Sequence, residues 1–228
     1  LCNARLWQPV IERLNVTAVL CVTLTGAESA RQASQRLLSA LPPRFLLAGF
    51  SLGAIVALHI AADAPERLSG LALISANPLA DPAENAAPRR DAVRTARAQG
   101  IVNWLVSALW QRYVAPSRLN NRALQDIICQ MASECGVTTF AQQTEIAIHR
   151  QDNRAALGNL PCPIVILNGA QDPICTPHHH HLLAASAANA TWHTVASGGH
   201  FIPLETPDEV ASPLRQWITE CISCARTH

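Results

Sequence analysis

Gly49-Phe50-Ser51-Leu52-Gly53 sets a serine between two glycines with one residue on either side, the G-x-S-x-G pattern of a nucleophile elbow. The physics of the pattern is specific. The serine occupies a strained strand-to-helix turn, and small residues two before and two after it let the backbone pack that tightly. The helix that follows turns its first N–H groups towards an oxyanion forming on a substrate carbonyl. Chance alone produces the five-residue pattern in about one chain in twelve of this length, so its surroundings must carry the argument. Phe45-Leu46-Leu47-Ala48 before it reads as a strand, and Ala54-Ile55-Val56-Ala57-Leu58 after it as a helix.

A serine hydroxyl is a poor nucleophile until a base takes its proton. Two later segments supply the missing groups. The apolar run 164–168 ends in Gly169-Ala170-Gln171-Asp172-Pro173, and the run 191–195 is followed by Ser197-Gly198-Gly199-His200-Phe201. Asp172 and His200 therefore both follow the C-terminal ends of predicted parallel strands, where open α/β sheets place their sites. The order Ser51, Asp172, His200 separates this arrangement from the other common triad folds, in which the histidine or the acid comes first.

The elements that must hold these residues are legible as apolar runs. Strands are expected at 17–24, 45–49, 71–75, 164–168 and 191–195. Helices are expected at 5–14, 29–41 and 51–62, the second carrying Ala30, Ala33, Leu37, Leu38 and Leu41 as one stripe. Thr206-Pro207-Asp208-Glu209 opens a last helix with a capping-box pattern, and Val210, Leu214, Trp217, Ile218 and Cys221 recur on its face. Strands alternating with helices predict an α/β protein with a mostly parallel central sheet flanked by helices. The alternation breaks between about 77 and 160, where helical stripes (Ile101, Trp104, Leu105, Ala108, Leu109; then Leu124, Ile127, Ile128, Met131) replace strands. The division expected is a core of 1–77 and 160–228 with a helical cap, 78–159, inserted between strands as a lid.

At this point the sequence resembles the α/β-hydrolase superfamily over nearly its whole length, and most of all its small bacterial esterase-type members with a helical cap. The opening of such members often reads Pro-Gly-Leu-Leu-Cys-Asp-x-Arg-Leu-Trp, close to Leu1-Cys2-Asn3-Ala4-Arg5-Leu6-Trp7. The resemblance implies two oxyanion donors: the N–H of Leu52, and an N–H from a Pro-Gly or His-Gly turn at or just before Leu1. The commonest elbow of the family, Gly-x-Ser-Met-Gly-Gly, is altered here by Leu52 and Ala54, which changes pocket shape and removes no reacting group. A serine at the elbow argues against the haloalkane dehalogenases and epoxide hydrolases, which carry Asp there.

The reading that follows is a serine hydrolase cleaving a carboxylic ester of a small or medium, rather apolar acid, with Phe50, Trp104 and Phe201 in the substrate pocket. Thioesterase, lactonase, carbon–carbon hydrolase and acyltransferase chemistry share the same three residues, and a hydrolase-fold ligand receptor would keep them without turnover. No cofactor or metal is required. The bland alternatives are an N-cap role for Ser51, a turn role for Asp172 and a loop role for His200. Trp104, Trp110 and Tyr113 suit a pocket or the packing of the cap equally. Gln142 and Gln143 match a Gln pair found at this place in the look-alike family. His178-His179-His180-His181 cannot converge on one ion, because consecutive helical side chains diverge, so a solvated helix start is expected. Cys221 and Cys224 read as packing rather than redox residues.

Composition bounds the remaining classes. Of 228 residues 49% are hydrophobic and 14% charged, so the chain can bury a large core. Seventeen basic against sixteen acidic residues, with no run of either sign, exclude the electrostatic footprint of a nucleic-acid binder and offer no polybasic membrane patch. The uncharged stretch 45–62 is broken by Gly49 and Gly53 and reads as strand, turn and helix rather than a membrane span. The chain starts at Leu1 without a basic segment followed by an apolar run, and its eight cysteines sit in apolar surroundings; a cytoplasmic protein with reduced thiols is expected. A small-molecule partner is expected, and a homodimer is left open.

Overall fold

The computed structural model describes residues 1–225. The helices and strands run in the order α1 (Gln8–Leu14), α2 (Ala30–Ala40), β1 (Phe45–Phe50), α3 (Leu52–Asp63), β2 (Leu68–Ile74), α4 (Ala86–Gln99), α5 (Ile101–Ala108), α6 (Trp110–Tyr113), α7 (Arg122–Ile148), β3 (Ile164–Gly169), α8 (Pro177–Ala185), β4 (Ala190–Val195), α9 (Ile202–Glu205) and α10 (Pro207–Ala225). The four strands form one sheet in the order β1-β2-β3-β4, with every pairing parallel.

Alternation along β2 and β3 explains why both faces of that sheet are covered. Ala72, Ile74, Val165 and Leu167 point into one apolar cluster with Val10 of α1 and Val210, Leu214 and Trp217 of α10. Leu71, Leu73, Ile164 and Ile166 point into the other, with Ala30 and Ala33 of α2, the apolar body of α3, and Leu183 of α8. The stripe expected on α2 is buried through Ala30 and Ala33, where α2 packs against α3. All six residues of β3 are buried, as a central parallel strand requires.

One expected strand does not form. Residues 17–24 have strand composition, yet they adopt no regular structure, and Val19, Leu20 and Val22 stand 48%, 72% and 45% exposed. A strand exists only by pairing. β1 is an edge strand among the described residues, and residues 17–24, which face its open edge across the cavity, make no ladder with it. It is anchored at its C-terminal end instead, where the Gln143 amide donates to the Leu24 carbonyl (3.0 Å) and Gly26 N–H donates to Gln142 Oε1 (2.8 Å).

The strand-free stretch between β2 and β3 is helical, from α4 to α7. Gly136, at φ 74°, kinks α7. Of the two expected stripes Trp104, Leu105, Leu124, Ile128 and Met131 are buried and Ile101 and Leu109 partly so, while Ala108 and Ile127 stay exposed. A buried ion-pair set ties the two ends of this stretch: Asp81 accepts from Arg89 Nε (2.7 Å) and pairs with Arg150 (2.8 Å). No helix among the described residues is long and apolar enough to cross a membrane.

Candidate active site

β1 ends at Phe50, and the next residue turns sharply into α3. Ser51 sits at φ 50°, ψ −109°, a backbone state that a residue with a Cβ rarely adopts. Its N–H donates to Ile74 O (2.9 Å), which pins the turn to the end of β2. Gly49 is needed for close approach: a Cβ there would lie 2.7 Å from Ala54 Cα and from Gly53 O. At Gly53 the expectation fails, since a Cβ would meet nothing within 4 Å. The tight packing under the elbow is on the strand side alone.

The structure brings the three sequence-predicted residues together. His200 Nε2 lies 2.9 Å from Ser51 Oγ, and His200 Nδ1 lies 2.7 Å from Asp172 Oδ2. A carboxylate can only accept here, so His200 carries its proton on Nδ1 and presents Nε2 as the acceptor for the Ser51 hydroxyl. Asp172 and His200 are each 3% exposed. The second oxygen of Asp172, Oδ1, accepts from the N–H groups of Ile174 (2.8 Å) and Cys175 (2.9 Å). These bonds orient the carboxylate and satisfy the face turned away from His200.

Three elements fix the histidine backbone. The Ser75 hydroxyl donates to the His200 carbonyl (2.8 Å), and the N–H groups of His200 and Phe201 donate to the Tyr113 carbonyl (3.2 and 3.1 Å). The N–H of Gly199 donates to the buried carboxylate of Glu205 (3.1 Å). Aromatic rings enclose the imidazole: Phe50 at 5.2 Å, Phe201 edge-on at 5.7 Å and Tyr113 stacked at 6.2 Å between centroids.

A cavity of about 850 Å³ opens beside Ser51, bordered by Leu1, Phe50, Leu52, Tyr113 and Phe201. It runs on along the outer edge of β1 towards residues 17–22. Phe50 and Phe201 line this cavity. Trp104 does not. It is buried against Phe140, ring centroids 4.7 Å apart, within the packing of the helices and away from the cavity wall. Leu52 N–H is at the first turn of α3, where the first N–H groups of a helix lack intrahelical partners. Leu1 reaches the cavity as well, its amino group donating to Gln143 Oε1 (2.7 Å).

Asp172, Cys175 and His200 offer ligand atoms within 4.8 Å of one another. The chemistry of the set opposes a cation. Both Asp172 oxygens already accept hydrogen bonds, and burial pushes the Cys175 thiol well above its ordinary range, which disfavours the thiolate a metal needs. The histidine run resolves differently from the solvated helix start expected of it. His180 is fully buried, accepts from Ala76 N–H through Nε2 (2.8 Å), and is pushed down to about 4 by desolvation. His179 Nδ1 accepts from Thr176 N–H (3.0 Å) and closes a capping box.

Ser75 and Glu205 are site residues that the sequence analysis does not single out, while His180 is weighed there only as part of the histidine run and Tyr113 only as a pocket or packing ring. Glu205 does stand in the sequence as a lone acid in Phe201-Ile202-Pro203-Leu204-Glu205, an otherwise apolar stretch directly after the histidine.

A parallel sheet covered on both faces, an elbow serine and a buried His–Asp pair define the class. A family model described as the alpha/beta hydrolase family matches residues 3–212, and the chain belongs to that family. Its relatives include the pimeloyl-[acyl-carrier protein] methyl ester esterase of Serratia marcescens, 27% identical over 201 residues, covering 85% of this chain and 77% of that protein. The biotin biosynthesis bifunctional protein BioHC of Teredinibacter turnerae is 24% identical over 193 residues, 79% of this chain but 34% of its own length. The chain thus spans about a third of that bifunctional relative. Among solved structures, a thermophilic esterase from Thermogutta terrifontis superposes with a TM-score of 0.84 at 22% identity, covering 96% of this chain and 86% of the other. The enol-lactonase from Burkholderia xenovorans gives 0.82 at 18%, with coverage of 96% and 88%. The fold is the α/β-hydrolase fold, and the relatives support an enzyme of that type.

Proposed function

We propose that the protein is a serine hydrolase that cleaves a carboxylic ester of a small or medium, rather apolar acid. The observation that carries this reading is the continuous chain from Asp172 through His200 to Ser51, ending at an elbow that opens on an apolar cavity. Ser51 Oγ attacks the ester carbonyl while His200 Nε2 takes its proton. Asp172 holds the Nδ1–H tautomer and stabilises the imidazolium that results. The tetrahedral oxyanion is held by Leu52 N–H and by one N–H near Leu1, each such donor contributing about 3 kcal/mol to the barrier reduction. His200 then protonates the leaving alkoxide. Water, activated by the same imidazole, releases the acid and restores Ser51. No step in this scheme calls for a cofactor.

In this proposal residues 78–159 act as a cap. Their closest tie to the reacting groups is the Tyr113 carbonyl, which holds the amides of His200 and Phe201. The apolar wall formed by Phe50, Phe201 and Tyr113 supports an apolar acyl group. The relative named as a pimeloyl-[acyl-carrier protein] methyl ester esterase supports ester cleavage.

The test is turnover of a graded panel of p-nitrophenyl esters, with a lactone and a thioester beside them, by wild type and Ser51→Ala. Turnover of esters that falls by a factor on the order of 10⁴ or more in the variant supports the proposal. Equal rates in both proteins overturn it, and preference for the thioester or lactone replaces the substrate class.

A further inference from the structure

Glu205 is a buried acid, 5% exposed, and it is absent from the scheme above. It closes the single turn α9, its own N–H donating to Phe201 O (2.9 Å). Its Oε2 accepts two backbone N–H groups from different parts of the fold: Gly199, next to the histidine (3.1 Å), and Ala115, on the connection that leaves α6 (2.8 Å). One oxygen thus clasps the helical stretch to the histidine loop. The junction is close enough that a Cβ on Gly199 would collide with the backbone of Val114 and Ala115. The other oxygen, Oε1, is buried with no hydrogen-bond partner among the described residues.

That last fact distinguishes Glu205 from an ordinary strut. A glutamine could accept the same two N–H groups through its carbonyl without burying a charge, and burying a charge without a cation is costly. A carboxylate makes sense where a cation forms nearby, and the imidazolium of His200 is such a cation. The titratable groups around His200 are few. Asp172 and Cys175 face it from the loop after β3, His180 from α8, Tyr113 from the helical stretch and Glu205 from α9. Burial keeps the Cys175 thiol and the Tyr113 phenol protonated and His180 neutral at ordinary pH. The carboxyl groups left near His200 are Asp172, hydrogen-bonded to it, and Glu205, which burial pushes up and the backbone N–H groups and His200 pull back.

We propose that Glu205 is a positioning residue for His200: its carboxylate locks the histidine loop to the helical stretch and supplies a second negative charge that favours the imidazolium. This rests on the reading of His200 as the base for Ser51. Burial pushes the Glu205 carboxyl above its ordinary range, while the N–H groups and His200 pull it back. The hydrogen bonds and the charge are therefore separable by substitution. Glu205→Gln keeps an acceptor and removes the charge, and Glu205→Asp keeps the charge on a shorter arm.

The experiment is NMR titration of the His200 imidazole, assigned by loss of its signal in His200→Gln, alongside the pH profile of kcat/KM for an ester. In Glu205→Gln the His200 titration and the acid limb of kcat/KM are expected to move down by about 0.5 pH unit or more. The kcat should fall about threefold to tenfold while KM holds, because Glu205 touches no substrate. Glu205→Asp should leave the titration near wild type even where its melting temperature falls. An unshifted His200 in Glu205→Gln, or equal shifts in both variants, would overturn the role of the charge. If wild type turns over no acyl substrate, the proposed function fails on its own, and the NMR titration still decides the role of Glu205.

Discussion

Alanine at Gly49 and alanine at Gly53 should have opposite effects, although the motif treats the two glycines alike. A Cβ on Gly49 would stand 2.7 Å from Ala54 Cα, 2.7 Å from Gly53 O and 2.8 Å from Ala54 N. Non-bonded carbon pairs prefer about 3.5–4.0 Å, and all three obstacles are backbone of the first turn of α3. No side chain can swing aside, so the start of the helix has to move, and Ser51 and Leu52 N–H move with it. Overpacking of this kind costs about 1–3 kcal/mol, which for a chain of this size lowers Tm by about 3–10 °C. A displacement near 1 Å at a reacting group costs on the order of 10²-fold in rate. At Gly53 a Cβ meets nothing within 4 Å, and replacing a helical glycine by alanine gains up to about 1 kcal/mol. The assay is thermal melting of both variants beside wild type, with turnover of a short-chain p-nitrophenyl ester for Gly49→Ala. A Gly49→Ala protein with wild-type Tm and rate, or a Gly53→Ala protein destabilised as much as Gly49→Ala, would refute the packing argument.

Asp172→Asn should fold normally yet lose about 10³–10⁴-fold in kcat. The new amide would donate to Nδ1 and force the tautomer whose Nε2 carries the proton; steady-state kinetics checks it, and a loss under tenfold would contradict the tautomer argument. His180 makes stability depend on pH. Its folded value of about 4 lies below the ordinary 6.5, so the unfolded chain takes up the extra proton between the two. Its contribution, on the order of 3 kcal/mol, is present above about pH 6.5 and is lost as pH falls towards 4. Urea melts across that window should show the slope in wild type and a flatter one in His180→Gln; parallel slopes would count against a buried neutral His180.

Much of the fold was legible because its signals are local. Four apolar runs became β1 to β4, and the elbow, the acid loop and the histidine loop each follow a strand end. Residues 17–24 show the limit of such reading. Val19, Leu20, Cys21 and Val22 have strand composition, but pairing is a long-range property, and the run makes no ladder with the open edge of β1. The same limit hid part of the site. Ser75 reaches His200 across 125 residues and Glu205 reaches Ala115 across 90, and neither bond has a spacing that a sequence could display. His180 was masked by its three neighbours, and only the helix geometry separates the buried ring from the exposed ones. Trp104 was ambiguous because an aromatic ring suits a pocket wall and a helix interface equally; Phe140, 36 residues on, decides it.

In the proposed function Ser51 is a nucleophile activated by His200. The most direct measurement is peptide mass spectrometry after reaction with an alkyl fluorophosphonate, on wild type and His200→Gln. One phosphonyl adduct per chain, on Ser51, is expected in wild type, with its loss in His200→Gln. An adduct on another residue, or labelling of Ser51 that is undiminished without the histidine, would contradict the proposed function.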